Sequence, residues 1–407
     1  MIQDLINKIK SDEIRNDNFL HLTANEARMS ETARMFLGSR LSERYYAGAG
    51  DDGVVDFGLF TQVGFSGIAA LVTKAENAAK DMLGARIVNL NCLSGIHAMM
   101  CAIFSTTVPG DTIMTLNPDE GGHFATKGIV ERLGRKNVFA EFDRDNLEFK
   151  FETTARIFSE SGAKVLYLDP MYYIKPFNLK KLRKAIGKKA IIIYDASHTI
   201  GLIMGQTFQS PLKEGADVLC ANTHKSLPGP QKGLIAFKNK TLGQHADSII
   251  KGSISSVHTH HMIALAITIL EMKSYGKAYA RQVIANANAI GCAFIGLGYG
   301  VRKASSHNLT ENHQVHIFID TLGERLSLYK KLLQNNVSTN FAYQPGKRLY
   351  MRLGTQEITR RGMKEKDMKQ IAIYIDRALN GEYVKNEVIK FNKRFSRVHY
   401  SFDKYRH

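Results

Sequence analysis

Cysteine is scarce in this chain: Cys92, Cys101, Cys220 and Cys292 stand far apart within apolar runs and make no paired spacing. That argues against a disulfide framework or a zinc finger, and predicts buried free thiols in a reducing compartment with no metal site. Long apolar runs are lacking too. None reaches the ~18 residues of a membrane span, and Met1-Ile-Gln-Asp-Leu-Ile-Asn-Lys-Ile9 has helical apolar spacing but is too short and polar for a signal peptide. The cytoplasm is the expected location, with no membrane partner. Internal repeats, low-complexity tracts and nucleic-acid motifs are also missing. Acidic residues are the minority, 38 against 55 Lys and Arg, which leaves a net charge of +17. The basic residues are spread along the chain, with one modest concentration between Lys385 and His407. The excess therefore reads as a basic surface around an anionic active site, and not as a dedicated nucleic-acid face.

What is present is enough apolar material, 44% of 407 residues, to bury more than one ordinary core. A helical N-terminus leads into an irregular stretch from Asp17 to about Phe60, where Tyr45-Tyr46-Ala-Gly-Ala-Gly50-Asp-Asp-Gly53 argues against regular structure. Long loops of this kind are usually functional. Helical spacing over Thr73–Leu83 is followed by alternating strands and helices, with strands expected at Ile87–Leu90, Thr112–Leu116, Val165–Asp169, Ala190–Tyr194, Val218–Ala221 and Leu234–Phe237. Such alternation predicts an α/β fold around a mostly parallel sheet. A long helix from about His261 to Leu297 then leads to a smaller α+β domain, with strands near Val315–Ile319 and Leu349–Arg352 and helices over Leu322–Gln334 and Met363–Asn380. The expected domains are an N-terminal helix and arm (1–60), a large α/β domain (61–285) and a small C-terminal domain (286–407).

Chemistry enters at Lys225. The apolar strand Asp217-Val-Leu-Cys-Ala-Asn222 runs into Thr223-His224-Lys225, thirty residues after Ile191-Ile-Ile-Tyr-Asp195-Ala-Ser-His198. A strand-end carboxylate followed one βαβ step later by a strand-end amine is the pair that pyridoxal phosphate requires, one for its pyridinium nitrogen and one for a Schiff base. Ser94-Gly95-Ile96-His97 follows a strand and opens an apolar helix, where first-turn amides can receive a phosphate. Read singly, Lys225 is also a surface lysine before Pro228-Gly229, His198 a core histidine, and His123, after two glycines, a loop residue.

Four words decide between those readings: Gly121-Gly-His123, Asp195-Ala-Ser-His198-Thr-Ile-Gly201, Thr223-His-Lys225-Ser-Leu-Pro-Gly229 and Arg352-Leu-Gly-Thr-Gln-Glu-Ile-Thr-Arg-Arg-Gly362. In this order and spacing the chain resembles serine hydroxymethyltransferase, from about residue 20 onward. The resemblance implies fold type I of pyridoxal-phosphate enzymes, with a seven-stranded-type sheet. It gives Lys225, Asp195, His198, His123, Ser94, Gly95, Thr223 and His224 to the cofactor. His123 would be the ring-stacking histidine, able to exchange protons with a β-hydroxyl. Arg352 would clamp the substrate carboxylate, and Tyr45 would reach into a neighbouring subunit's site, making a homodimer with composite active sites.

The chain departs from that family where folate is handled. Ala47 stands in place of a glutamate, Gly53-Val-Val-Asp56 in place of a tyrosine pair, Ala342 in place of an asparagine, and the adjoining loop shortens at Pro345-Gly346. The partner's glycine-rich phosphate loop is replaced by Ser255-Ser-Val-His258-Thr-His260-His261. That cluster has chelating spacing, but no acidic or cysteine partner stands nearby, and no metal is expected. The expected activity is therefore cleavage or formation of the Cα–Cβ bond of a β-hydroxy amino acid without folate, as an aldolase or transaldolase acting with an aldehyde co-substrate that is anionic if the basic surface serves it. The alternatives are folate-dependent serine–glycine interconversion, transamination or racemisation on the same cofactor, and a nucleic-acid- or partner-binding protein with vestigial catalysis.

Overall fold

The computed structural model describes residues 1–143, 146–342 and 348–403. The chain separates into two compact units, one built from residues 29–281 with the described residues from Tyr400 onward, the other from residues 1–28 and 282–399.

Seven strands organise the larger unit: β1 (Ile87–Asn89), β2 (Thr112–Thr115), β3 (Lys136–Phe139), β4 (Ala163–Leu168), β5 (Ile191–Asp195), β6 (Val218–Asn222) and β7 (Gly233–Phe237). They lie in the order β1-β7-β6-β5-β4-β2-β3. β7 is antiparallel to both of its neighbours and the remaining pairs are parallel. Residues of β4, β5, β6 and β7 are almost all buried, because a central strand of a mostly parallel sheet meets packing on both faces. Six of these strands fall within two residues of the sequence expectation. β3 does not appear there, since Lys136-Asn-Val-Phe139 is an edge strand with exposed or half-buried residues and carries no apolar run.

The helix expected at Thr73 begins at Ser66 and ends at Leu83, its first turn masked in sequence by Gly67. The stretch after Asp17 is less irregular than expected. It holds short helices at Glu31–Arg34 and Arg40–Glu43 and a hairpin of Val54–Asp56 with Thr61–Val63.

In the smaller unit β8 (Gln314–Phe318), β9 (Asn340–Ala342) and β10 (Tyr350–Gly354) form an antiparallel sheet in the order β8-β10-β9. Val315, Ile317, Met351 and Leu353 pack with Ile371 and Ile375 of the helix Glu365–Leu379 and with Phe391. Leu20–His21 pairs in parallel with Val337–Ser338. The N-terminal helix Ile2–Asp17 buries none of its residues. The helix Thr259–Gly296 contains the boundary between the two units. Among the described residues no helix is long and apolar enough to cross a membrane.

Candidate active site

Because β4, β5 and β6 are parallel, their carboxyl ends share one edge of the sheet, the place where α/β proteins bind ligands. A cavity of about 310 Å³ opens there. Lys225, Asp195, His198, His123, His224, Ser94 and Gly95 all line it, seven residues that the sequence places far apart. Lys225 is positioned by the turn after β6. Thr223 Oγ1 donates to the Pro230 carbonyl at 2.6 Å and accepts the Lys232 amide at 3.1 Å, so the chain doubles back across Lys225, which lines the cavity. Thr223 itself is wholly buried and does not line the cavity; its hydroxyl serves the turn. Lys225 Nζ lies 3.1 Å from Nε2 of the buried His198.

Asp195, the last residue of β5, accepts a 2.8 Å hydrogen bond from Tyr167 Oη on β4 and another of 2.8 Å from the Ser197 amide. Burial, with the charge of Asp195 beside it, pushes the Tyr167 phenol far above its usual range, so it remains a donor. His123 Nδ1 accepts the Ala125 amide at 3.3 Å, which places the proton of the neutral ring on Nε2, and the ring stacks on Phe124 with centroids 4.6 Å apart. Burial lowers the His123 pKa, Asp195 opposes that, and Lys225 adds to it. The His224 ring is pushed down to about 4, first by burial and then by Lys225.

The third side of the cavity is the start of the helix Gly95–Thr106. Ser94 caps it, its Oγ accepting the His97 amide at 3.1 Å. Glycine is required next: a Cβ at Gly95 would lie 2.8 Å from Asn222 Cβ, so the helix N-terminus abuts the end of β6. An amine, a carboxylate held by two donors and an open helix N-terminus around one cavity fit pyridoxal phosphate, with Lys225 for its aldehyde carbon, Asp195 for its ring nitrogen and the Ser94–Gly95 turn for its phosphate.

Two sequence candidates lie elsewhere. Tyr45 is 54% exposed and does not line the cavity of its own chain. The carbonyl of its neighbour Arg44 accepts Thr259 Oγ1 at 2.6 Å. Arg352 belongs to the smaller unit, buried on β10, with Nη2 donating to Asn340 Oδ1 at 3.1 Å. Among the folate-linked positions, Ala342 is buried on β9 and Val54–Asp56 forms one arm of the hairpin; Pro345-Gly346 lies outside the described residues.

His258, His260 and His261 do cluster, with the rings of His260 and His261 4.3 Å apart. Burial pushes His261 down to about 4, and His260, His258 and Lys232 add to this. A different trio, Cys92, His97 and Cys101, is the group of three potential metal ligands whose atoms lie within 4.8 Å of one another among the described residues. There His97 Nδ1 accepts the Leu93 amide at 3.0 Å, which leaves the ring proton on Nε2 and makes the imidazole a donor toward its surroundings, the reverse of what ligation through Nε2 requires. Cys101 is lowered to about 5, by the Cys92 thiol and then by His97. Cys92, Cys101 and Cys220 are buried as expected, but Cys292 is exposed, because its helical position faces solvent.

Sequence reading passed over Tyr167, Ser197, Asn222 and Asp169, of which the last three line the cavity. Ser197 stands inside the word Asp195-Ala-Ser-His198 and was legible there. Tyr167 and Asp169 lie on β4 and at its end, in an apolar strand with no motif, and only the strand order brings them beside Asp195.

The family model for serine hydroxymethyltransferase matches residues 2–375. Fluorothreonine transaldolase of Streptantibioticus cattleyicolor is 36% identical across 89% of this chain, which spans only 58% of that longer protein. Serine hydroxymethyltransferase of Methanocella arvoryzae is 32% identical over 99% of this chain and 96% of its own length. Among solved structures, L-threonine transaldolase from Pseudomonas fluorescens superposes with a TM-score of 0.91 at 27% identity, over 100% of this chain and 94% of that one.

Proposed function

We propose that this chain, which belongs to the serine hydroxymethyltransferase family and is a pyridoxal-phosphate-dependent enzyme of fold type I, makes and breaks the Cα–Cβ bond of a β-hydroxy amino acid as a transaldolase or aldolase that needs no folate. The observation that carries the reading is the pairing of an intact cavity, Lys225 against His198 with Asp195 and His123, with the replacement of several folate-linked residues at once, Ala47, Gly53–Asp56 and Ala342. Both transaldolase relatives support it.

The bound cofactor supplies an electron sink for the pair left at Cα when a bond there breaks. The remaining work belongs to the chain. Lys225 gives up and takes back its amine proton beside His198 Nε2, 3.1 Å away. Asp195, fixed by Tyr167 and Ser197, would hold the ring nitrogen of the cofactor by a hydrogen bond. His123, held toward its neutral form by burial and with its ring proton on Nε2, donates a hydrogen bond from Nε2 that orients the β-oxygen. We assign the substrate α-carboxylate to Arg352, on its buried guanidinium and its place in the family-like word that ends at Gly362. Tyr45, exposed on its own chain, serves the site of a second copy in a homodimer. The basic surface, +17 overall, suits an anionic acceptor aldehyde.

The test uses purified, cofactor-loaded protein with L-threonine and no tetrahydrofolate. Acetaldehyde release, and its increase when a second aldehyde is supplied, is the expected result. Absence of turnover with any β-hydroxy amino acid despite full cofactor loading overturns the reading. The near full-length match to an archaeal serine hydroxymethyltransferase favours a second reading, folate-dependent interconversion of serine and glycine. A strict requirement for tetrahydrofolate would establish that one instead.

A further inference from the structure

Two carboxyl groups, not one, face the cavity. Asp169 follows β4 as Asp195 ends β5, and because Tyr194 registers with Leu168 the two aspartates stand side by side at the sheet edge. Their surroundings differ. Asp195 receives two hydrogen bonds, from Tyr167 and Ser197. Asp169 is 4% exposed, accepts the His123 amide at Oδ2 at 3.1 Å and has the Thr126 hydroxyl beside it favouring its charged form, while its buried Oδ1 makes no hydrogen bond of ordinary geometry among the described residues. Two like charges confined in one poorly hydrated pocket do not both ionise freely, and the proton settles on the more deeply buried member, Asp169, since Asp195 is only half-buried.

We propose that Asp169 holds the proton of this carboxyl pair and, as a neutral acid lining the cavity, serves as an O–H donor to an acceptor oxygen of the bound cofactor or amino acid. This rests on the functional reading above and adds a residue to it. The groups facing Asp169 support the assignment. Asp195 on β5 is the carboxyl held by two donors; Tyr167 on its own strand and Cys220 on β6 are driven toward their neutral forms by burial and then by Asp195; and burial favours the neutral form of His123, on the loop that Asp169 anchors. Lys225 and His198 line the same cavity. Burial raises the Asp169 carboxyl to about 7, Thr126 opposing and Asp195 adding. A second consequence follows from the bond to the His123 amide: Asp169 fixes the backbone of the residue that faces the substrate oxygen in this reading.

The experiment follows the side-chain carboxyl carbons of aspartate by NMR in the full chain, with and without pyridoxal phosphate and without amino acid. One aspartate titrating between about pH 6 and pH 8, far above the usual range near 4, and absent from Asp169→Asn, is expected. The reading is overturned if no aspartate titrates in that window, or if the signal persists in Asp169→Asn. The wild-type titration needs no variant to fold, and it stands apart from whether threonine is cleaved. Asp169→Asn, whose amide still donates, should lose the limb of the kcat/KM profile near neutrality, while Asp169→Ala should lose about tenfold at every pH. A shifted visible spectrum of loaded Asp169→Ala without amino acid assigns the acceptor oxygen to the cofactor. An unchanged spectrum with a raised KM assigns it to the substrate. Neither change would reduce Asp169 to a structural group.

Discussion

In the proposed reaction Lys225 is the amine that carries the cofactor, and the 3.1 Å approach of His198 gives its Nζ a partner for proton exchange. Lys225→Ala should therefore lose covalent cofactor retention on gel filtration and about three or more orders of magnitude in kcat. Tyr167 is subtler: Tyr167→Phe removes one of two donors to the Asp195 carboxylate, and the Kd for pyridoxal phosphate, measured by absorbance titration, should rise about tenfold or more. His224 sets a pH dependence of stability. Its folded pKa, about 4, lies below the ordinary histidine value near 6.5, so the unfolded chain binds more protons in that window. The stabilisation it gives is complete above pH ~6.5 and is lost as pH falls toward about 4; His224→Gln should flatten that part of the Tm–pH curve. Asp169 and Glu76, both raised to about 7, act oppositely, favouring the fold at low pH and ceasing to as pH rises through about 7. Of these residues Lys225, Asp195, His198 and His123 were legible as parts of words. Asp169 and Tyr167 were not, because a lone polar residue in or just after an apolar strand has no pattern of its own.

At the scale of elements, the site is a product of close approaches that side chains would prevent. The turn after β5 passes so near the turn after β6 that a Cβ at Gly201 would sit 2.2 Å from the Ser226 carbonyl, and the Gly201 amide bonds Ser226 Oγ at 3.1 Å. Gly201→Ala should destabilise the protein by about 2–4 kcal/mol, seen as a lower urea midpoint, and should weaken the hold on the cofactor at both turns. The central strands were readable because β4, β5 and β6 are runs of β-branched and other apolar residues. The edge strand β3 and the hairpin of Val54–Asp56 with Thr61–Val63 were not, since exposed pairing leaves no apolar signature. Thr223 marks a related difference: its neighbours His224 and Lys225 line the cavity, while its own hydroxyl holds the backbone.

At the scale of the whole molecule, the composite-site proposal has a direct test. If Tyr45 acts on a second copy, refolding Lys225→Ala together with Tyr45→Phe as a one-to-one mixture should restore about a quarter of wild-type activity, because half the dimers then hold one intact site. Sites built within single chains would restore none. Sedimentation should first show a dimer. Sequence alone made legible the candidate cofactor pair, the strand alternation and the substitutions at the folate-linked words, since each of these is local: a word, a period or a substitution at one position. Tertiary structure decided which residues share the cavity, that Thr223 supports the turn while Tyr167 holds Asp195, and that a second carboxyl stands beside the first. Those facts follow from the order β6-β5-β4, which brings together strand ends distant along the chain and sets the burial that governs their charge.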